Sequence, residues 1–381
     1  MMKTGLSIHC LIRNSIICFT IFYLCTHSWS WPVFLLPFLV EITIEIFHNK
    51  GMIVLDPHSN KVINMYSFLD LIWPIAMGEN KALTEGFYNN DKSKSLEQAQ
   101  KEKYQWIIDH TDIKKGMQVL EIGCGNGDLL KYIKDFGCIC EGITLSPEQM
   151  TLCQNMDIQV HNIDFFQLDK SFHNKYDLVI CNGCLEHMPT VVTRKNPKKL
   201  YQDILDRIHL LLNKNSPVAK VMITCIHFRR PMITLSERFN SYIIERANGG
   251  WYPLEKDGLV KYSDKYSTKV IKDVTLDYHL TTQEWSKRAS TKVWRWLPKY
   301  LLYMPIFLLN DPYYLHKIKE KTKIPFLNKH GSWGWQFAGK NPPMLPQWIV
   351  LQDKNINDKK CLTNTSHSSL NERNISAVAK V

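Results

Sequence analysis

Between residues 118 and 226 short apolar runs alternate with stretches whose apolar residues recur every three or four positions, so strands and helices are expected in turn. Val119, Leu120 and Ile122 make the first run, and Leu129, Leu130 and Ile133 repeat at helical spacing just beyond it. A second strand is expected over roughly 137–145, a third around Ile158–Asn162 and a fourth from Tyr176 to Gly183. A helix over about 198–213 carries Leu200, Ile204, Leu205, Ile208, Leu211 and Leu212 on one face, and a fifth strand fills 218–226. Ser146 reads as an N-cap, with Pro147 at the first helical position and Glu148 in the first turn, where its charge suits the helix dipole. Repeated strand–helix units of this kind make a doubly wound α/β domain.

The junction between the first strand and the first of these helices, VLEIGCGNGDLL, places Gly123, Gly125 and Gly127 at alternate positions. Glycines there let the backbone turn sharply and approach a ligand that any side chain would strike. The pattern alone is weak, because the dinucleotide fingerprint differs from it by one position. Its surroundings are more specific: SLEQAQ at 95–100 leads through a helix into KKGMQVLEIGCGNG, the second strand closes on GITLSPEQ, the fourth runs into NGCLEH at 182–187, and DYHLTTQEW spans 277–285.

Together these segments resemble the S-adenosylmethionine-dependent methyltransferases of the Rossmann-like class, in particular the cyclopropane-fatty-acyl-phospholipid synthase and mycolic-acid methyltransferase group, over about residues 80–285. The resemblance implies an α/β class I methyltransferase fold with a mostly parallel seven-stranded sheet and a helical cap. It also implies S-adenosylmethionine as cofactor, with the backbone at Gly123, Gly125 and Gly127 against its methionine and ribose portion and Glu121 near its ammonium. Thr144 and Gln149 match the positions around the ribose, Thr84 would sit near the methionine end, and Asp164 can accept from the adenine amino group. Phe165 offers the ring an apolar face, although stacked and merely packed aromatics look alike in sequence. Glu141, three residues before Thr144, lies too early to be the ribose carboxylate of other methyltransferases and could face solvent.

By the same resemblance Glu186 and Tyr278 are the catalytic residues, Glu186 helping to hold a bicarbonate ion that serves as general base. Two positions depart from the family: Thr224 stands where a histidine is expected, with His227 three residues later, and Glu85 aligns loosely with a cysteine beside that ion. His187 reads foremost as a helix-opening residue that bonds locally.

A chain of 381 residues exceeds one typical domain, so appendages are expected around the catalytic unit. From Ser15 to Val40 there is no charged side chain, long enough for a bilayer core, which needs ~20 residues. Trp29, Trp31, Pro32 and Pro37 interrupt it, which favours a hairpin anchor over a single span or a cleaved leader and keeps the catalytic domain on the cytosolic side. The expected divisions are an anchor over 1–46, a helical cover over 47–100, the methyltransferase domain over 101–345 with a cap around 230–320, and a polar tail over 346–381. Within the cap, 292–314 mixes Lys292, Arg295 and Lys299 with aromatic and aliphatic residues, so it suits either a buried cap helix or a bilayer surface.

The formal charge of +11 favours anionic partners, and with no nucleic-acid module in view the expected ones are a membrane surface and a membrane lipid substrate. The cysteines show no paired C-x-x-C metal pattern, and Cys181-x-x-Cys184 reads as small thiols packed at a strand end. The activity expected is methyl or methylene transfer to an acyl double bond. The alternatives are amine N-methylation on the same scaffold and a noncatalytic lipid-binding role.

Overall fold

A parallel sheet buried on both faces needs strands that are apolar on each side, and Val119, Leu120 and Ile122 of the first strand meet that demand. In the computed structural model, which describes residues 82, 84–190, 192–233, 250–292, 294, 295, 298 and 336–355, helix α1 (Leu96–Thr111) precedes β1 (Gln118–Ile122), in which Val119, Leu120, Glu121 and Ile122 are all buried. There follow α2 (Asp128–Phe136), β2 (Ile139–Thr144), α3 (Pro147–Gln154), β3 (Gln159–Asn162), β4 (Leu178–Asn182), α4 (Pro197–Leu211) and β5 (Lys220–Phe228). The chain ends its described part with β6 (Tyr266–Asp273), α5 (Thr275–Thr291) and β7 (Met344–Asp353). The seven strands lie in the order β3-β2-β1-β4-β5-β7-β6; β1 to β5 pair in parallel, and β7 runs antiparallel between β5 and β6.

The strands and helices expected between 118 and 226 are present, with ends shifted by no more than two residues. Ser146 caps α3 by accepting from Gln149 N, with Pro147 following, as its sequence implies. Helix α1 opens on a capping box: Ser95 accepts from Gln98 N while the Gln98 side chain accepts from Ser95 N.

Two apolar layers cover the sheet. On one face Leu120, Ile122, Val179 and Cys181 meet Ile204, Leu205 and Ile208 of α4. On the other, Val119, Leu178, Ile180 and Met222 meet Ile107 of α1 and Leu130 and Ile133 of α2. Trp348 of β7 is fully buried in the second layer, its ring 4.8 Å from that of Trp106 and 5.3 Å from that of Phe87.

Strand β7 corrects one expectation. A polar tail was expected from 346, yet every residue of Met344–Asp353 is buried between two antiparallel neighbours. A strand enclosed on both faces loses the in–out alternation that marks a strand in sequence, and Pro346, Gln347 and Gln352 hide the rest of the pattern. The sheet of the catalytic domain therefore runs to Asp353, and residues 84–100, expected in the helical cover, pack into that domain. The expected anchor over 1–46, most of the helical cover, most of the cap stretch 292–314 and the segment beyond 355 lie outside the described residues. Among the described residues no helix is long and apolar enough to cross a membrane.

The capping box makes a measurable contribution. Ser95→Ala removes the side-chain acceptor at the start of α1 and is expected to lower the unfolding free energy by about 1 kcal/mol, read as a lower urea midpoint with unchanged slope. An unchanged midpoint would show that the cap is dispensable.

Candidate active site

Open α/β sheets bind ligands beyond the carboxyl ends of their strands, and here β1, β2 and β4 end around one crevice of about 370 Å³. That volume lies within the range of small-molecule sites. Its wall includes Glu121 and Ile122 from β1, Gly123 and Gly125 from the following turn, Thr144 and Gln149 from β2 and α3, Asp164 and Phe165 after β3, Asn182 from β4, and Thr84 from the segment ahead of α1. Eight of the nine positions expected around the cofactor are thus brought together.

Gly127 is the exception. Gly123 has φ +69°, and a Cβ there would lie 2.7 Å from Cys184 Cβ, so the turn itself needs glycine. Gly127, at φ +81°, is pressed instead against Cys153 Sγ, 2.7 Å from where its Cβ would be. Its role is to start α2 against the core rather than to face the crevice.

The polar groups of the crevice are unevenly matched. Thr144 Oγ1 donates to Gln149 Oε1 at 2.8 Å, which leaves the buried Gln149 Nε2 with no partner. Glu121 is 2% exposed and its Oε2 likewise has no hydrogen-bond partner; burial pushes its carboxyl well above the usual range, against the pull of a hydrogen bond with Asn182. Asp164 uses Oδ1 to accept from Phe166 N, and Phe165 packs edge-on to Phe166 with centroids 5.2 Å apart. An unmatched acceptor and an unmatched donor beside a glycine turn suit a ligand with an ammonium and hydroxyls, and S-adenosylmethionine has both.

Glu186 and Tyr278 do not line this crevice. Glu186 follows β4 in a single 3-10 turn, Leu185–His187, whose neighbours Cys184 and His187 do line it. Its own side chain turns beneath the end of β5, where Oε1 accepts from Ile226 N at 2.7 Å and Oε2 has no hydrogen-bond partner. Burial raises its carboxyl to about 7, and Glu85 adds to the shift. Tyr278, on α5, is buried against Phe337 at 4.4 Å between centroids and lies edge-on to Trp285. Thr224 donates to Asn182 Oδ1, and His227 is buried, which holds its pKa down at about 4.

Several residues escape a reading of the sequence. Glu141, which could have faced solvent, is buried, paired with Lys175 and hydrogen-bonded by the Tyr176 hydroxyl. Lys103 is buried in α1 and donates to Thr84 Oγ1, Glu85 Oε1 and Asn182 Oδ1. Its signal was present: Ala99, Lys103, Ile107 and Thr111 form an i, i+4 row on the inward face of α1, and lysine is out of place there.

A family model described as mycolic acid cyclopropane synthetase matches residues 55–295 of this chain. Probable (S)-tetrahydroprotoberberine N-methyltransferase 2 of Papaver bracteatum is 29% identical over 124 residues, covering 30% of this chain and 33% of that protein. Cyclopropane-fatty-acyl-phospholipid synthase of Escherichia coli (strain K12) is 30% identical over 99 residues, covering 25% of each. The chain thus matches a quarter to a third of the length of these relatives. A cyclopropane synthase of Mycobacterium tuberculosis has the same fold, with a TM-score of 0.61 at 17% identity over 78% of this chain and 99% of that one.

Burial of Glu186 has a thermodynamic consequence. Its folded pKa of about 7 lies above the 4.5 of an exposed glutamate, so the folded protein binds the extra proton and loses stability as pH rises between those values. Melting temperature is expected to fall more steeply from pH 5 to pH 7 in the native protein than in Glu186→Gln. Parallel curves would place the Glu186 carboxyl in a solvated setting.

Proposed function

The chain belongs to the mycolic acid cyclopropane synthetase family, and on that footing we propose that it transfers a methyl or methylene group to the double bond of an unsaturated acyl chain in a membrane lipid. It is an S-adenosylmethionine-dependent methyltransferase with the class I α/β fold. When bound, S-adenosylmethionine supplies an electrophilic methyl group on a sulfonium. Glu121 would meet its ammonium, Gln149 Nε2 and Thr144 the ribose, and Asp164 and Phe165 the adenine, while Gly123 and Gly125 bring backbone close to the whole.

The observation that carries the reading is the state of Glu186. An alkene that attacks a methyl group becomes a cation, and the product needs a base to take one proton from it. Glu186 is buried one turn behind the crevice wall, with one oxygen held by Ile226 N and the other unmatched. A carboxylate so placed is oriented and poorly solvated, which suits a base acting near neutral pH. Bicarbonate fits this pocket poorly, because Glu85 and Glu186 are two buried acids, the three donors of Lys103 are already taken by Thr84, Glu85 and Asn182, and Thr224 offers no positive charge. The proton is therefore assigned to Glu186 itself.

The hydrophobic segment Ser15–Val40 and the charge of +11 support a membrane setting, with an anchor before the catalytic domain and the domain on the cytosolic face. One second reading has its own support. The Papaver relative is named an N-methyltransferase, and a tertiary amine nucleophile, with no N–H to lose, would need no base after bond formation, which agrees with Thr224 in place of histidine.

Incubation with methyl-labelled cofactor and unsaturated phospholipid, followed by separation of acyl chains from headgroup amines, distinguishes the two. Label is expected in the acyl chains; label confined to amines would overturn the proposal. Turnover is expected to rise as pH increases through about 7, because only ionised Glu186 accepts a proton. Glu186→Gln is expected to lower turnover by about 10²-fold or more while leaving cofactor affinity unchanged, since its side chain lies outside the crevice.

A further inference from the structure

The Lys103 ammonium lies among three buried acids, Glu85, Glu121 and Glu186, all of which act on its charge. Its Nζ gives protons to Thr84 Oγ1 at 3.0 Å, Glu85 Oε1 at 3.1 Å and Asn182 Oδ1 at 2.8 Å. Three acceptors occupy every donor of an ammonium, and a neutral amine has one N–H too few. Burial pulls the lysine pKa down and the facing Glu85 carboxylate opposes that pull. Glu85 is fixed in turn by Trp348 Nε1, whose ring lies 5.4 Å from Lys103 Nζ.

This cluster touches both halves of the site. Thr84 and Asn182 are crevice wall, and Asn182 also shares a hydrogen bond with Glu121. On the other side, Glu85 and Lys103 act on Glu186 with opposite sign. Among the described residues, other titratable groups around Glu186 include His187 in the same turn, Cys184, Tyr201 from α4, and Cys225 and His227 from β5. A hydrogen bond with Cys181, together with burial, raises Cys184, and burial raises Cys225 and Tyr201 and lowers His227, so these four are neutral near pH 7 while Glu85 and Lys103 act on Glu186 as charges.

We propose that Lys103, paired with Glu85, is a positioning residue that couples cofactor binding to proton removal: it holds Thr84 and Asn182 in the crevice wall and governs how readily Glu186 takes a proton. This rests on Glu186 as the proton acceptor. Removing the lysine charge leaves Glu186 beside an unopposed carboxylate and makes ionisation harder; removing the Glu85 charge leaves it beside an unopposed ammonium and makes ionisation easier. A purely structural role would not move the two in opposite directions.

The test needs no lipid substrate. The protonated carboxyl band of Glu186 is followed by infrared titration of the full-length protein, each form compared with its own Glu186→Gln counterpart. Lys103→Gln is expected to move the midpoint to higher pH and Glu85→Gln to lower pH, by about one unit each. Calorimetry with S-adenosylhomocysteine is expected to show about tenfold weaker binding to Lys103→Gln, because Thr84 and Asn182 lose their common donor. Midpoints that stay put or move together would overturn the proposal.

Where a single variant fails to fold for want of its charge partner, the double variant Glu85→Gln/Lys103→Gln removes both members of the pair together. It is expected to titrate near the native midpoint while binding S-adenosylhomocysteine about tenfold more weakly, and unchanged affinity would overturn the proposal. Failure of the acyl-chain labelling experiment, with these shifts intact, would remove the lipid reading and leave the coupling in place.

Discussion

The turn at Gly123 is the constraint on which the rest of the molecule is arranged. Its positive φ and the contact with Cys184 leave no room for a side chain, so the ends of β1 and β4 are drawn together with only backbone between them and the crevice. That close approach places Glu121, at the end of one strand, beside Asn182, at the end of the other. It also sets where the next turn begins, and hence where Glu186 departs from the sheet. The parallel order of β1 to β5 makes this possible, because parallel strands deliver all their carboxyl ends to one edge.

Around that edge the balance is electrostatic. A buried acid is tolerated when it is neutral, paired, or waiting for a cation. Glu141 is paired with Lys175 and hydrogen-bonded by Tyr176; Glu85 is paired with Lys103; Glu121 and Glu186 each keep one oxygen without a partner. The two unmatched acids are the two that face chemistry, one on the side where a cationic cofactor would lie and the other where a proton must leave. The two matched acids hold the framework.

Much of the site is legible in the sequence, because a cofactor crevice of this class is written in short, contiguous stretches. The glycine turn, the Thr144 to Gln149 cap and the Asp164-Phe165 step each occupy a few adjacent residues, and adjacency along the chain becomes adjacency in space at a strand end. The departures came where a residue's partner is distant. Glu141 could face solvent on sequence grounds because Lys175 and Tyr176 lie more than thirty positions away, and the partners of Lys103 are hidden in sequence because they lie in two segments about eighteen and eighty positions from it. Gly127 looked equivalent to its neighbours, yet a helix start faces inward where a strand end faces out.

The order of apolar and polar residues therefore determined the alternation of strands and helices, the capped helix starts and the glycine turn, since each depends on interactions spanning a few positions. Tertiary structure alone decided that Met344–Asp353 is an interior strand, that Glu186 turns away from the crevice beneath β5, and that one lysine serves Thr84, Glu85 and Asn182 together. The physical reason is range: burial and ion pairing depend on what arrives from far along the chain, and only a closed sheet brings those groups within reach.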